Sequence, residues 1–488
     1  MSTPIPCRPT RRGLLAAGAG AVLLPLPSAV RAQPAGPVML ALSAYMAAAP
    51  DRALPVEVVE KAKHHILDTF AAMISGAELA PGRAAIAFAR RYGGPPVATV
   101  AGSDVACGPI EAALANGVLA HSDETDDSHA PSQSHPGSGV IPAALALGEQ
   151  FAIRGEQFLR AVTLGYDVGP RVTMAMGGFS FRNESHRATH AIAGIFGAAA
   201  AAGAAARLNP QQMRWLLDYT AQQSSGIAAW QRDTDHIEKA FVFAGMGARS
   251  GVTAALLVQS GWTGIDDIFS GDDNFFQAYA PKAEPGQLVE ALGTRFEIAR
   301  TDIKKWTVGS PIQAPLDALE ILIKRHGFKA DEVKAVTVRL APTVGAVVDN
   351  RDMPDVSVQH MMAVMLLDRT ASFKAAHDRA RMQDPAVLRQ KAKVHLVADP
   401  ELAKRLPARD AIVEVTLADG QTVSEKVQAV RGTAANPMPR EEVVEKARDL
   451  TAPVLGAARA EALIQAVLGL DTLADVRSLR PLLRPEAA

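Results

Sequence analysis

From Val38 to Ile298 apolar residues return every three to four positions, the spacing of one face of an α-helix. The stretch LPVEVVEKAKHHILDTFAAMISG is representative. Val59, Ile66, Phe70 and Ile74 recur at helical spacing, Pro55 stands near the start and Gly76 follows the end. Proline and glycine are favoured at those two boundaries. Similar patterns cover 109–120, 141–151, 157–174, 191–206, 211–229 and 245–261. After about Ile303 the period changes. VKAVTVRLAP (Val333–Pro342) has strand composition, and AIVEVTLADGQTVSEKVQAV is two alternating runs joined by Asp419-Gly420, a hairpin signal. Helical spacing returns from Arg440 to Leu483. The pattern predicts a mainly α protein: a large all-helical domain over 38–303, an inserted smaller α+β domain over 304–435, and a helical segment over 436–485 that returns to the first domain. No internal repeat marks a solenoid.

Composition agrees with this reading. A chain of 488 residues exceeds one simple core, since cores stop growing at roughly 250–300 residues. Aromatics make up only 5%, and the abundant alanine favours close-packed helices over a β-sandwich. The first 32 residues stand apart. They have a basic start, an apolar run from Gly13 to Pro27 and small residues before a cut after Ala32, the features of a signal peptide. Arg11-Arg12 just before the apolar run is a twin-arginine signature, which predicts export to the periplasm. An ordinary signal with two arginines is the other reading. No further stretch reads as a bilayer span. The alanine-rich run 191–206 ends in Arg207 and reads as a buried helix.

The chain has 50 basic and 51 acidic residues. Four of the arginines fall within 1–32, so the remainder is mildly acidic, without a basic run, and nucleic acid is not an expected partner. Cys107 is the only cysteine outside that segment. This excludes an intramolecular disulfide and a cysteine-held iron–sulfur cluster.

The stretch HSDETDDSHAPSQSHPG, His121–Gly137, concentrates the chemistry. The helix IEAALANGVLA runs straight into it. If that helix continues one more turn, His121, Glu124 and Ser128 share a face, and Asp123, Asp126 and Asp127 point elsewhere. Beyond Pro131 the chain turns, and a helix opening near Gly139–Pro142 offers free N–H groups as a seat for a carboxylate. The pattern thus places acid–base groups beside an anion seat. A polar inter-helix loop with capping Asp and Ser residues is the plainer alternative.

This stretch also carries a resemblance. NGVLAHSDETDDSHAPSQSHPG (Asn116–Gly137) resembles the motif of the MmgE/PrpD family, which includes 2-methylcitrate dehydratase, cis-aconitate decarboxylase and an iminodisuccinate epimerase. The likeness continues through AGIFGAAAAAG, EKAFVFAGMGARSGVTAALLVQSGWTG, SPIQAPLDAL and ANPMPREEVVEKA. It implies a helical domain with an α+β lid, an active site between them, homodimers, and no metal or organic cofactor. On this resemblance His135 is the proton-transfer histidine of H-P-G. Glu124 stands at the first Asp of the family motif and Ser128 at its Thr. Lys239 matches the lysine before the glycine-rich helix, with one residue more than usual before Gly245. His186 or His190 supplies a second histidine. His121 accompanies them, Lys304 or Lys305 supplies a lysine, Gln313 replaces a histidine and His360 replaces a tyrosine.

The reading is therefore a cofactor-independent lyase, a dehydratase acting by proton abstraction next to a carboxylate of a small polycarboxylate or hydroxy acid. A decarboxylase or epimerase would use the same proton chemistry. Two other classes stay open: a metal-dependent hydrolase with His121, His129 and His135 as ligands, and a non-catalytic exported binding protein.

Overall fold

The computed structural model describes residues 34–486. The expected signal segment lies outside the described residues. Among them twenty α-helices accompany only two small sheets, a mainly α fold with a smaller α+β part.

The centre of the helical part is Thr189–Ala205, whose seventeen residues are all buried. A helix apolar all round has no solvent face, so it must be enclosed. Helices Pro136–Phe151, Gly155–Ala175 and Met246–Gln259 pack around it. Small residues set how closely they approach. A Cβ on Gly169 would lie 2.3 Å from the Ala193 carbonyl oxygen, and one on Gly251 would lie 2.4 Å from the Ala199 nitrogen. Helices Val56–Gly76 and Pro109–Ala120 complete this body. Arg440–Leu455 returns from the carboxy-terminal part to pack on Val56–Gly76, so one apolar core runs from Met39 to Leu483.

A second apolar core runs from Trp306 to Val430. Its sheet has the order Val394–Ala398, Val333–Leu340, Ala411–Leu417, Thr422–Val427, the first pair parallel and the others antiparallel. Ala411–Leu417 buries alternate residues, as a sheet covered on one face does. Helix Ser310–His326 packs against the last two strands and Val358–Asp368 against the first. The hairpin turns at Asp419-Gly420, with Gly420 at φ 91°.

The sequence pattern misses two local features. The run Ile237–Gln259 is one continuous helical rod, long and apolar enough to cross a membrane. It is nevertheless a core helix, packed on Pro109–Ala120 and Thr189–Ala205. Within it, Phe241–Gly245 forms a π-helical turn. Such a turn absorbs one extra residue without breaking a helix, and it lies within the one-residue surplus between Lys239 and Gly245.

Candidate active site

Helix Pro109–Ala120 stops at Ala120, and His121 leaves helical geometry with φ −119°. The expected extra turn does not form. The chain instead runs irregularly from 121 to 135 and is buried except at Ser128, Ala130 and Pro131, which are half-buried. A buried polar loop survives only if most of its groups find partners, and here many do, although His121 Nε2 and Thr125 Oγ1 have none among the described residues. Asp127 accepts hydrogen bonds from the Gly137 N–H (3.0 Å) and the Tyr166 hydroxyl, and its other contact is His65 Nδ1 at 2.9 Å. Lys446 donates to the Thr125 carbonyl (2.9 Å) and pairs with Asp68. His129 Nδ1 meets Ser132 Oγ at 2.8 Å, and its Nε2 lies 3.3 Å from Glu297. The next helix opens at Pro136, a turn earlier than the sequence suggests, with His135 as its N-cap residue. Its N–H seat is filled by the chain's own Asp127, not left for a ligand. Gly137 is required there, because a Cβ would lie 2.6 Å from Thr69 Oγ1 and Tyr166 Oη.

Inside this loop a line of charged groups runs through the protein. His135 Nδ1 lies 3.2 Å from Asp126 Oδ1. Asp126 Oδ2 meets His121 Nδ1 at 2.8 Å. Lys304 Nζ is 3.4 Å from Asp126 Oδ1 and donates to the Glu124 carbonyl at 2.7 Å. The Glu124 carboxylate pairs with Lys239, and His236 Nε2 lies 3.9 Å from it. Phe243, presented by the π-helical turn, stacks on His190 at 3.9 Å and on His121 at 4.6 Å between ring centres. The His190 and His135 rings are 5.3 Å apart.

Burial alone would raise the Asp126 pKa, but His121, which also hydrogen-bonds it, together with His135 and Lys304 outweighs that and holds the carboxyl well below the usual range. Glu124 is held down in the same way, chiefly by Lys239 and Lys304 against its burial. Burial lowers His135, with Asp126 pulling back, and lowers His190 further. Burial thus favours the neutral forms of His135 and His190 beside the ionised forms of Asp126 and Glu124. With Nδ1 turned to Asp126, the His135 proton belongs on Nδ1, and Nε2 is left as the basic nitrogen.

A cavity of about 290 Å³ opens beside His135, between the helical body and the smaller core. Ser128, His135, Arg182, His190, Asp302 and Lys304 face it from one side. Gln313, Arg409 and the segment 428–435 face it from the other. Ser128 and Asp302 exchange backbone hydrogen bonds of 2.9 and 2.8 Å. Burial pushes the Asp302 carboxyl up to about 6, although it accepts the Ala434 N–H at 3.0 Å.

Of the residues singled out from sequence, His135, His190, Ser128, Lys304 and Gln313 line the cavity. Gln313 spends its amide on its own loop, bonding Trp306 N and O and the Val308 carbonyl. Glu124, Lys239 and His121 stand behind the wall, joined to it through Asp126 and Lys304. Three expectations are corrected. His186 is exposed at the end of helix Gly178–Ser185, with φ 57°. Lys305 turns away to Glu320 at 2.6 Å and lies over the Trp306 ring. His360 is packed inside the smaller core with neither ring nitrogen hydrogen-bonded, and burial pushes its pKa down to about 4. Sequence reasoning gave Asp126 no role at the centre, because a continued helix would have turned it away from His121. It overlooked His236, although His236 stands three residues before Lys239, and it overlooked Arg182, Asp302 and Arg409.

Two groups among the described residues have the spacing of metal ligands: His121, Asp126 and His135, and His121, Glu124 and His236. In each the carboxylate already has a lysine beside it, Lys304 for Asp126 and Lys239 for Glu124.

The chain matches the MmgE/PrpD N-terminal domain over residues 40–288 and the MmgE/PrpD C-terminal domain over residues 306–472. The chain belongs to the MmgE/PrpD family. It is 26% identical over 464 residues to a cis-aconitate decarboxylase-like protein of Aspergillus oryzae, covering 89% of this chain and 94% of the relative. It is 26% identical to the cis-aconitate decarboxylase of Aspergillus terreus, over 88% of this chain and 92% of that one. The human cis-aconitate decarboxylase is 27% identical over 460 residues, with 88% and 92% covered. At the level of the family the chain is a lyase of the dehydratase and decarboxylase kind. The two MmgE/PrpD matches meet between residues 288 and 306, where the helical core gives way to the smaller one.

Proposed function

We propose that this protein is a cofactor-independent lyase for a small polycarboxylic acid, in which His135 moves a proton at the carbon next to a carboxylate. The observation that carries this is His135 on the cavity wall with Nδ1 3.2 Å from Asp126, which in turn faces Lys304 at 3.4 Å. Removing a proton or CO₂ at such a carbon builds enolate-like negative charge. General acid–base help at this step is worth roughly 10²–10⁴-fold. A fixed cation such as Lys304 stabilises the developing charge, and loss of such a donor costs about 3–4 kcal/mol. Glu124 and Lys239 hold the rear of this assembly and keep Lys304 in place.

The names of the relatives favour loss of CO₂ as the outcome. A second reading, loss of water, is favoured by Asp302. A carboxyl with a pKa near 6 on the cavity wall is partly protonated near neutral pH and can protonate a departing hydroxyl. The two are separated by incubating the enzyme with a panel of di- and tricarboxylic acids and following CO₂ release and product mass together. Loss of 44 or of 18 mass units from one of these acids supports the reading. No turnover of any acid by folded enzyme contradicts it. We further propose export by the twin-arginine route, on the Arg11-Arg12 pair and the apolar run after it, and a homodimer, on membership of the family.

A further inference from the structure

The basic groups around the cavity fall into two kinds. Lys304 faces Asp126, Lys239 faces Glu124, and Arg431 is held by both oxygens of Glu442 at 2.8 and 2.6 Å. These cations are already matched by the protein. Arg182 and Arg409 are not. Among the described residues neither has a carboxylate within 4 Å. Arg182 donates through Nη1 to the neutral Gln133 amide oxygen at 2.7 Å, and among the described residues no hydrogen bond engages the Arg409 guanidinium. Both line the same cavity, Arg182 from helix Gly178–Ser185 and Arg409 from the segment just before strand Ala411–Leu417.

Two unmatched guanidiniums at one half-buried site repel each other and are poorly hydrated. Burial pushes Arg409 down to about 10 and the Arg182 charge adds to that push, while the Glu124 and Asp302 carboxylates, beyond contact distance, pull weakly the other way. Such a pair persists where an anion neutralises it in the working state. The guanidinium is planar, with a fork of N–H donors matched to a carboxylate. We infer that Arg182 and Arg409 form a carboxylate-binding subsite, which takes a carboxylate remote from the reacting carbon of a di- or tricarboxylic acid. The inference rests on the proposed polycarboxylate reading of this cavity. It adds which end of the acid is recognised and by what. One arginine belongs to the helical body and the other to the smaller core, so a carboxylate held by both joins the two halves across the cavity. Binding of the correct acid thereby draws the walls together around His135, in the manner of substrate-driven closure.

The test uses a probe that cannot react. Propane-1,2,3-tricarboxylate has neither a hydroxyl to lose nor a double bond, so its binding is independent of turnover. Calorimetric titration of the wild type should give saturable binding. R182Q and R409Q should each raise its Kd by roughly 10–100-fold, the range for a lost charge-assisted hydrogen bond, while H135A leaves Kd within about threefold. R409K should fall between wild type and R409Q. The monoamide of the probe, with a terminal carboxylate made neutral, should bind the wild type about tenfold or more weaker than the triacid. R409Q should bind the two nearly equally, a difference that a merely misfolded variant would not show. Unchanged Kd in R182Q and R409Q, or no binding of the triacid to wild type, overturns the subsite. Turnover of an acid together with arginine-independent binding leaves the lyase reading standing and removes only this inference. Arginine-dependent binding without turnover of any acid does the reverse.

Discussion

Asp126 decides the chemistry at the scale of single residues. It contacts His121 and His135 and faces Lys304, and it is the group that pulls the His135 pKa upward against burial. Asp126→Asn should lower kcat by roughly 10²–10⁴-fold. The sign of its pH effect follows. A base works when neutral, so its rate is lost as pH falls through its pKa. Without Asp126 the His135 pKa drops, and the acid limb of kcat/KM should move to lower pH. An unmoved limb would mean that another group sets it. Because Lys304 and Lys239 already pair with the Asp126 and Glu124 carboxylates, exhaustive chelation should leave fold and turnover unchanged. Activity that tracks stoichiometric zinc or manganese would reassign His121 and its neighbours as ligands. His135, His190 and Lys304 were legible in the sequence because a local motif or its immediate context carries them. Arg182 and Arg409 were not. They are 227 positions apart, and neither sits in a periodic or motif-bearing stretch, so only the fold shows that they share a cavity.

Elements place these residues through packing that small side chains allow. The all-buried helix Thr189–Ala205 carries His190 at its start, and its neighbours approach it at glycines. Gly169→Ala forces a methyl group against the Ala193 carbonyl and should destabilise by about 1–3 kcal/mol or more, read as a lower midpoint in urea. The alanine-rich composition made this helix legible. The π-helical turn 241–245 was visible only as one residue too many, with no signal for how the helix would absorb it. His360 shows the opposite error. Apart from Gln359 its near neighbours in VQHMMAVMLLD are apolar, which fits a core helix better than a cavity wall. An unpartnered buried polar group costs about 1–3 kcal/mol. His360→Leu should therefore leave the thermal midpoint equal or higher and the substrate profile untouched. A changed preference among acids would return His360 to the site.

The described residues form two main cores with a cavity between them, and an ion pair at a second pocket ties the halves. His377, from the smaller part, places Nε2 3.0 Å from Asp123 Oδ2 and sets Nδ1 on the Phe373 carbonyl at 2.7 Å. Burial opposes its charge, but Asp123, with Asp355 nearby, raises its pKa from the ordinary 6.5 to about 9. A histidine raised on folding stabilises fully below its unfolded value and loses that contribution as pH rises through the folded one. Stability should therefore decline between about pH 6.5 and 9, and His377→Gln should remove that slope. The division into a helical body, a smaller α+β part and a returning tail was legible because the apolar period changes from helical to alternating and back. The cross-contacts were not, since His377 and Asp123 are joined only by the way the two halves meet.

On the proposed function His135 transfers a proton at a carbon beside a carboxylate. The most direct test is turnover in D₂O of an acid found active in the panel, with the product read by NMR. Where CO₂ is lost, the wild-type product should carry solvent deuterium at one carbon next to a carboxylate; where water is lost, the acid re-formed from product in D₂O should carry it; His135→Ala, folded and still binding the tricarboxylate probe, should place none in either. Deuterium incorporation by His135→Ala at the wild-type rate would contradict the account.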